Sequence, residues 1–186
     1  MVIQARDLGE DGRVHLESAA RLESLPTRSA SGFLRRGDIL LQPRGTRFPA
    51  AILDSINETR VVAAAPMLIL RVDPAYAVPE YLVAVLQSPS TQAALRQLAA
   101  GTYVPQVSRQ AIENLPIQLP DLQSQAKLAH LASLEQRERE LMERLREARG
   151  RLFDLAVIEV ARKARKRANA SGPEPVPTGA RAPRGP

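Results

Sequence analysis

The sequence predicts an α+β protein: a small domain with a mixed or antiparallel, β-rich sheet, then one long coiled-coil-type helix and a disordered tail. Three observations predict this. Short apolar segments lie close together between residues 39 and 72, leucines recur in a heptad pattern after residue 121, and the chain ends in Pro, Gly and Ala without periodicity. We place the domain at residues 1–120, the helix at 121–167 and the tail at 168–186.

The apolar segments of the first part of the chain predict short strands. Residues 2–8 predict a strand, and residues 13–16 would pair with it as a hairpin. Ile39–Leu41 is wholly apolar, which is typical of a buried strand, whereas residues 22–32 predict a loop. Further strands are predicted at 50–53, 60–64 and 67–72. Their short connections favour an antiparallel or mixed sheet over βαβ units.

Two helices are predicted after the strands. Pro79 is suited to the first helical position, and Ser88 is suited to cap a second helix that begins at Pro89. Gly101 is the residue type expected just beyond the end of that helix. The next segments, 104–107 and 115–119, are predicted to be extended.

The long helix is predicted from its capping residue, Asp121, and from its leucines. Steps of three and four residues join the positions Leu131, Leu134, Leu141, Leu145, Leu152 and Leu155, with Glu138 as a charged intrusion. A helix of this length would extend about 70 Å and could not bury the stripe against itself. We favour a second helix as the partner of these leucines over the alternative that they pack along the chain's own domain.

The sequence contains none of the patterns that indicate catalysis or metal binding. It has no Cys and only two His, His15 and His130, which lie far apart. It has no glycine-rich phosphate loop after a strand and no glycine-flanked nucleophilic Ser. We therefore expect no enzyme activity, no cofactor and no metal. The lack of a long apolar run or a signal peptide leads us to expect a cytoplasmic protein with no membrane contact.

The net charge of +6 is concentrated at one end of the chain. Residues 161–186 contain seven Arg or Lys and one Glu, so residues 1–160 are neutral. Any nucleic-acid footprint in the domain must therefore be a local patch. The basic cluster at 162–167 either holds DNA or acidic partners non-specifically, or is a solvated helix end.

Four segments in order resemble one family. They are Gly37-Asp38-Ile39-Leu40-Leu41 with Arg44-Gly45, Pro79-Glu80-Tyr81-Leu82, Gly101-Thr102 with Val107-Ser108, and Leu115-Pro116-Ile117-Gln118-Leu119-Pro120 with Gln125. Together with the heptad helix they resemble the target recognition domain and spacer helix of DNA-specificity (S) subunits of type I restriction–modification systems. The resemblance runs from about residue 2 to residue 153.

The resemblance implies a non-catalytic role in DNA recognition. S subunits read one half-site of duplex DNA with each recognition domain, and their paired long helices dock modification (methyltransferase) subunits, which bring S-adenosylmethionine. A restriction (motor-nuclease) subunit joins for cleavage. The implied partners of this chain are therefore double-stranded DNA, the modification and restriction subunits, and a second copy through the long helix.

The sequence departs from the family pattern in three ways. It has one recognition domain and one spacer helix where an S subunit has two of each, which suggests a half-subunit that dimerises. Residues 2–8 resemble an internal strand, so the domain is expected to be shortened at its start. The basic tail has no counterpart that we recognise. The alternative is a remnant or scaffold that acts only through its coiled-coil helix.

Two loops supply the candidate DNA contacts, because reading duplex DNA requires Arg, Gln or hydroxyl side chains on loops and close backbone approach. These candidates are Arg44, Gly45, Thr46, Arg47, Thr102, Tyr103, Gln106 and Arg109. The alternatives are a solvated turn at Arg44 and a helix cap with a packed ring at Tyr103.

Overall fold

The computed structural model describes residues 1–21, 32–56, 60–100 and 103–170, with side chains to residue 167. The chain divides into two units, Met1–Glu138 and Arg139–Pro186. Several predictions fall outside the described residues: most of the loop at 22–32, the conformation of Gly101, and the tail beyond Ala170.

The first unit contains the sheet and three of the helices, as an α+β fold requires. Its strands are β1 (Val2–Ile3), β2 (Ile39–Leu41), β3 (Ala50–Ile52), β4 (Val62–Ala63) and β5 (Leu68–Leu70). Strand β2 lies between β3 and β5 and is antiparallel to both, whereas β1 and β4 form a separate parallel pair. The predicted mixed and antiparallel pairing is therefore confirmed.

The helices follow the strands along the chain. They are α1 (Pro79–Gln87), α2 (Pro89–Leu98), α3 (Arg109–Glu113) and α4 (Leu122–Ala170). Ser88 caps α2 as predicted, since its side chain accepts a hydrogen bond from the Thr91 N–H. Helix α2 ends at Leu98 and its C-cap is the extended Ala99, so the prediction that Gly101 directly follows the end of the helix is wrong. Helix α4 runs three residues beyond its predicted end, into the segment predicted to be disordered.

The N-terminal segment is less regular than predicted. Residues 2–8 form only a two-residue strand before a 3-10 turn, Ala5–Asp7, and the predicted hairpin is reduced to one bridge between Leu8 and Val14. The cause is Asp7, whose fully buried carboxylate accepts hydrogen bonds from the Gln4 N–H and the Ser18 hydroxyl, each at 2.8 Å. These bonds hold the backbone in a turn.

Strand β2 is the centre of the core, and its two faces belong to different clusters. Ile39 and Leu41 pack in one cluster with residues of α1 and α2, such as Leu86 and Leu95. Leu40 lies in the other cluster with N-terminal residues such as Ile3. All three residues of β2 are fully buried, which confirms the prediction of a buried strand.

An ion pair with a buried carboxylate holds the turn that precedes β2. Asp38 is 2% exposed and accepts two hydrogen bonds at 2.7 Å from the Arg71 guanidinium and one at 2.8 Å from the Arg35 N–H. The hydrogen bond to Asp38 raises the pKa of Arg71 above its ordinary value. The Gly37 residue has a φ of 88°, where a side chain would be strained. Asp38 thus links the turn before β2 to Arg71, the first residue after β5.

Helix α4 begins on two polar anchors. The Asp121 carboxylate accepts from the Ser124 hydroxyl at 2.6 Å and from the Ser124 N–H at 2.9 Å, and the hydroxyl bond lowers the pKa of Asp121. Gln125 is fully buried, accepts from the Val78 N–H at 2.8 Å, and donates to the Tyr76 and Pro120 carbonyls. Gln125 therefore fixes the first turns of α4 to the segment before α1.

We expect Gln125→Ala to lower the free energy of unfolding by about 2–3 kcal/mol, because it leaves buried backbone groups without partners. Gln123→Ala is the matched control, since Gln123 lies on the same helix turn and is exposed. Denaturant titration of the three proteins measures the difference. Equal midpoints for both variants would contradict the anchoring role.

Candidate nucleic-acid interface

Two segments that are far apart in the sequence meet through backbone hydrogen bonds. The Val107 N–H donates to the Pro43 carbonyl, and the Gly45 N–H donates to the Pro105 carbonyl, both at 2.9 Å. We call residues 42–48 and 103–107 the paired loops. The pairing brings together most of the residues that the sequence nominated for DNA contact, from both segments.

Arg44 and Gln106 lie directly opposite each other in the paired loops. The two backbone hydrogen bonds flank them on either side, which makes them a non-hydrogen-bonded antiparallel pair. In such a pair the Cα atoms lie about 4.5 Å apart and both side chains project from one face. Both residues are exposed, and no described residue forms an ion pair or side-chain hydrogen bond with either side chain.

The backbone of the first loop is held at its end by helix α2. The Gln92 amide nitrogen donates to the Phe48 carbonyl at 2.9 Å, and the Gln92 amide oxygen accepts from the Phe48 N–H at 3.2 Å. The Phe48 ring is buried in the core. Gly45 has a φ of 127°, so the turn needs glycine at this position. The loop therefore has a defined backbone on which Arg44 is presented.

Of the other residues nominated for DNA contact, Thr46 and Arg47 lie in the first of the paired loops, and Arg109 follows the second. Arg47 is exposed and bonds to Glu10 at 2.8 Å, while Arg109, at the start of α3, bonds to Glu113 at 2.7 Å. Exposed ion pairs of this kind contribute about 0–1 kcal/mol, so either Arg can exchange its carboxylate for a phosphate at little cost. Thr46 is exposed, and Thr102 lies outside the described residues.

Tyr103 is 98% exposed, so the alternative of a packed ring at this position is wrong. It lies in the loop closed by the pair Ala100–Gln106, which exchanges two backbone hydrogen bonds. The ring, which belongs to the second of the paired loops, is therefore almost wholly open to solvent.

The sequence did not reveal the residues that support this site. Gln92 acts through hydrogen bonds to a residue 44 positions away, and no local pattern marks such a contact. The short helix α3 was also missed, although Ser108 caps it by accepting from the Ala111 N–H at 3.1 Å. A Ser followed by a short amphipathic segment was the available signal.

The apolar stripe of α4 is exposed along its whole length. The six nominated leucines, Leu131, Leu134, Leu141, Leu145, Leu152 and Leu155, are between 45% and 67% exposed. Near its C-terminal part the helix also exposes other large apolar side chains: Phe153, Val157, Ile158 and Val160. These exposed side chains leave apolar surface that a partner can bury.

Comparisons with known proteins bear on the fold. No protein-family model matches the chain, and no curated protein matches it. The HsdS subunit from Thermoanaerobacter tengcongensis is similar in structure, with a TM-score of 0.53 and 20% sequence identity over 96% of this chain. The chain has the fold of an HsdS subunit.

A second similar chain comes from a structure described as the structural basis underlying complex assembly and conformational transition of the type I R-M system. It has a TM-score of 0.51 and 21% identity over 98% of this chain. This chain spans 45% of the length of each of the two matched chains, so it corresponds to about half of the HsdS subunit and of the second chain. The predicted resemblance to type I specificity subunits is thus confirmed at the level of the fold.

Within the HsdS-like fold, no described helix combines the length and apolar character that a membrane span requires.

Proposed function

We propose that this chain is a non-catalytic DNA-recognition component of a type I restriction–modification system. Its domain binds duplex DNA through the paired loops, and its long helix docks methyltransferase subunits and pairs with the helix of a second copy. The restriction subunit joins this assembly for cleavage. In this proposal the chain works in the cytoplasm.

The observation that carries the proposal is the pairing of Arg44 with Gln106 on an HsdS-like fold. Arg and Gln are the side chains that bind guanine and adenine, respectively, by two hydrogen bonds in the major groove. Both are exposed on one face and lack internal partners among the described residues. A two-stranded ribbon also fits the width of the major groove. Such a pair is suited to reading two neighbouring base pairs.

Arg47 and Arg109 supply the positioning contacts that a base-reading pair requires. Phosphate contacts fix register and orientation, and they account for much of the affinity. Residues 1–160 carry no net charge, so in this proposal these local cations define where the backbone of the DNA lies. The cluster of basic residues at 162–167 adds a sequence-independent contribution that salt weakens.

The exposed side chains of α4 support docking of more than one partner. Over residues 152–160 large apolar side chains point in several directions around the helix, whereas the leucine stripe occupies one face. A second helix covers the stripe, and Phe153, Val157 and Val160 remain for another surface. That surface belongs, in this proposal, to the modification subunit.

The test is selection of random duplex DNA by the full chain, alone and with a type I modification subunit. Recovery of a defined motif, with affinity that falls as salt rises, supports the proposal. Retention of the modification subunit without any selected motif would instead support a scaffold.

We expect Arg44→Ala to weaken binding to the selected duplex by about 1–3 kcal/mol. If Arg44 reads a guanine, specificity relaxes at one base pair. If it contacts phosphate, all sequences are weakened alike and the salt slope falls by about one. Arg146→Ala is the matched control, because Arg146 is an exposed arginine on the long helix. Fluorescence anisotropy at several salt concentrations distinguishes these outcomes, and equal affinities of the two variants contradict the role of Arg44.

The second candidate function is a scaffold that acts only through its coiled-coil helix. The exposed leucine stripe favours it, because it requires a partner whether or not DNA is bound. The scaffold predicts complexes that are insensitive to Arg44→Ala in every assay, including DNA selection.

A further inference from the structure

We propose that Tyr103 is a wedge: its ring inserts between two base pairs of the duplex, next to those contacted by Arg44 and Gln106. The inference rests on the proposed function and assigns to one residue a way of distorting the DNA. It concerns duplex DNA, whose base steps offer a flat apolar slot once they are opened.

The exposure of the ring is the first observation. Tyr103 is 98% exposed, compared with 71% for Tyr76 and 68% for Phe153. A tyrosine ring gains much from burial, and exposed Tyr is enriched where proteins bind partners. Its neighbour Val104 is also exposed and adds apolar surface at the same point. The pair is a small apolar projection on a polar loop.

The position of the ring is the second observation. The Ala100 N–H donates to the Gln106 carbonyl at 3.1 Å, and the Gln106 N–H donates to the Ala100 carbonyl at 2.9 Å. Tyr103 lies between the two residues of this pair in the chain, three residues before Gln106, whose other side faces Arg44. Because the segment that carries Tyr103 ends at Gln106, we place the ring at the base step next to the base pairs that Arg44 and Gln106 contact.

The backbone beneath the ring is anchored to the core. Val107 is 1% exposed in the same cluster as Phe48, and its N–H bonds to the Pro43 carbonyl. A wedge must resist the force that closes an unstacked base step, and an anchored backbone provides that resistance. The exposed ring of Tyr103 is thus carried on a backbone that is anchored four residues later, at Val107.

The positive charge of Arg44 favours DNA over a protein as the partner that the Tyr103 ring contacts. Arg44, on the adjacent loop, has no ion-pair partner among the described residues, and a duplex offers such a cation both guanine acceptors and phosphates. The chain has only three Tyr and three Phe, too few for a stacking platform along unpaired bases. A single exposed ring, together with an Arg that has no ion-pair partner among the described residues, instead suits one opened base step in a duplex.

The test uses the full chain and the duplex recovered by selection, with 2-aminopurine replacing each adenine in turn. The fluorescence of 2-aminopurine rises when its stacking is lost. We expect a rise at one position on binding of the wild type, a retained rise for Tyr103→Phe, and no rise for Tyr103→Ala. We also expect Tyr103→Ala to bind about 5- to 150-fold more weakly, the range found for loss of a base–aromatic stack.

Each other outcome overturns the inference in a distinguishable way. Tight binding by the wild type with no fluorescence change at any position rules out a wedge and leaves the proposed function standing. Unchanged DNA binding by Tyr103→Ala with loss of the modification subunit makes the ring a protein contact. Failure of the wild type to bind any duplex, with or without the modification subunit, overturns the proposed function and the wedge together. Circular dichroism of Tyr103→Ala confirms that the variant is folded.

Discussion

Replacing Leu141 and Leu145 together by Glu is expected to abolish association through the long helix. Both side chains are about half exposed in the single chain, and they are consecutive members of the leucine stripe. Each leucine buried by a partner contributes about 1.5–3 kcal/mol, and a symmetric dimer loses both leucines in both copies. The expected loss is therefore about 6 kcal/mol or more, before the cost of burying the new carboxylates.

Sedimentation equilibrium of the full chain measures this effect. The wild type is expected to be a dimer and the Leu141→Glu, Leu145→Glu variant a monomer at the same concentration. The control is Arg139→Glu with Arg146→Glu, which adds the same two carboxylates and also removes two positive charges, one residue after positions of the stripe and on its outer side. A control variant that dissociates equally would assign the effect to charge, and a double-leucine variant that stays dimeric would contradict the stripe as the interface.

Replacing Asp38 by Ala is expected to destabilise the domain by about 3–5 kcal/mol. The substitution removes the buried partner of an ion pair and the acceptor for the Arg35 N–H. Because Arg71 is 45% exposed and can regain water, the lower end of this range is expected. The measured quantity is the free energy of unfolding in denaturant.

Two further variants separate the contributions around Asp38. Arg71→Met leaves the buried carboxylate with only the Arg35 N–H, and it is expected to destabilise the domain by a similar amount. Glu80→Ala is the control, since Glu80 is exposed on helix α1, and its effect is expected within about 0.5 kcal/mol of zero. An Asp38→Ala protein as stable as this control would show that the ion pair does not hold the turn.

Local patterns predicted the regular elements well where one physical rule decides the conformation. Ile39–Leu41 was found from its apolar run, α2 from a Ser-Pro start, and the long helix from its heptads. In each case neighbouring residues alone fix the outcome. The 3-10 turn at Ala5–Asp7 was missed because it depends on Ser18, a hydrogen-bond partner outside the local window.

In the candidate interface, too, local patterns identified individual residues, whereas contacts between distant segments decided how they are arranged. Arg44 and Gln106 were each nominated by residue type and loop position, but their opposition depends on hydrogen bonds between distant segments. The exposure of Tyr103 was also beyond a local pattern, because the sequence around it was compatible both with a DNA contact and with a helix cap that packs the ring. Gln125 carried no local sign of its burial, since a glutamine in a helix is ordinarily solvated.

The most direct test of DNA recognition is a methylation assay with the full chain and a type I modification subunit on a library of random duplexes. Sequencing of the methylated adenines reports which motif directs the reaction. We expect methylation within one defined motif for the wild type, and for Arg44→Ala either a motif relaxed at one position or a uniform loss of methylation. A stable complex that methylates no defined motif, or one whose motif and yield are untouched by Arg44→Ala, would contradict DNA recognition through the paired loops.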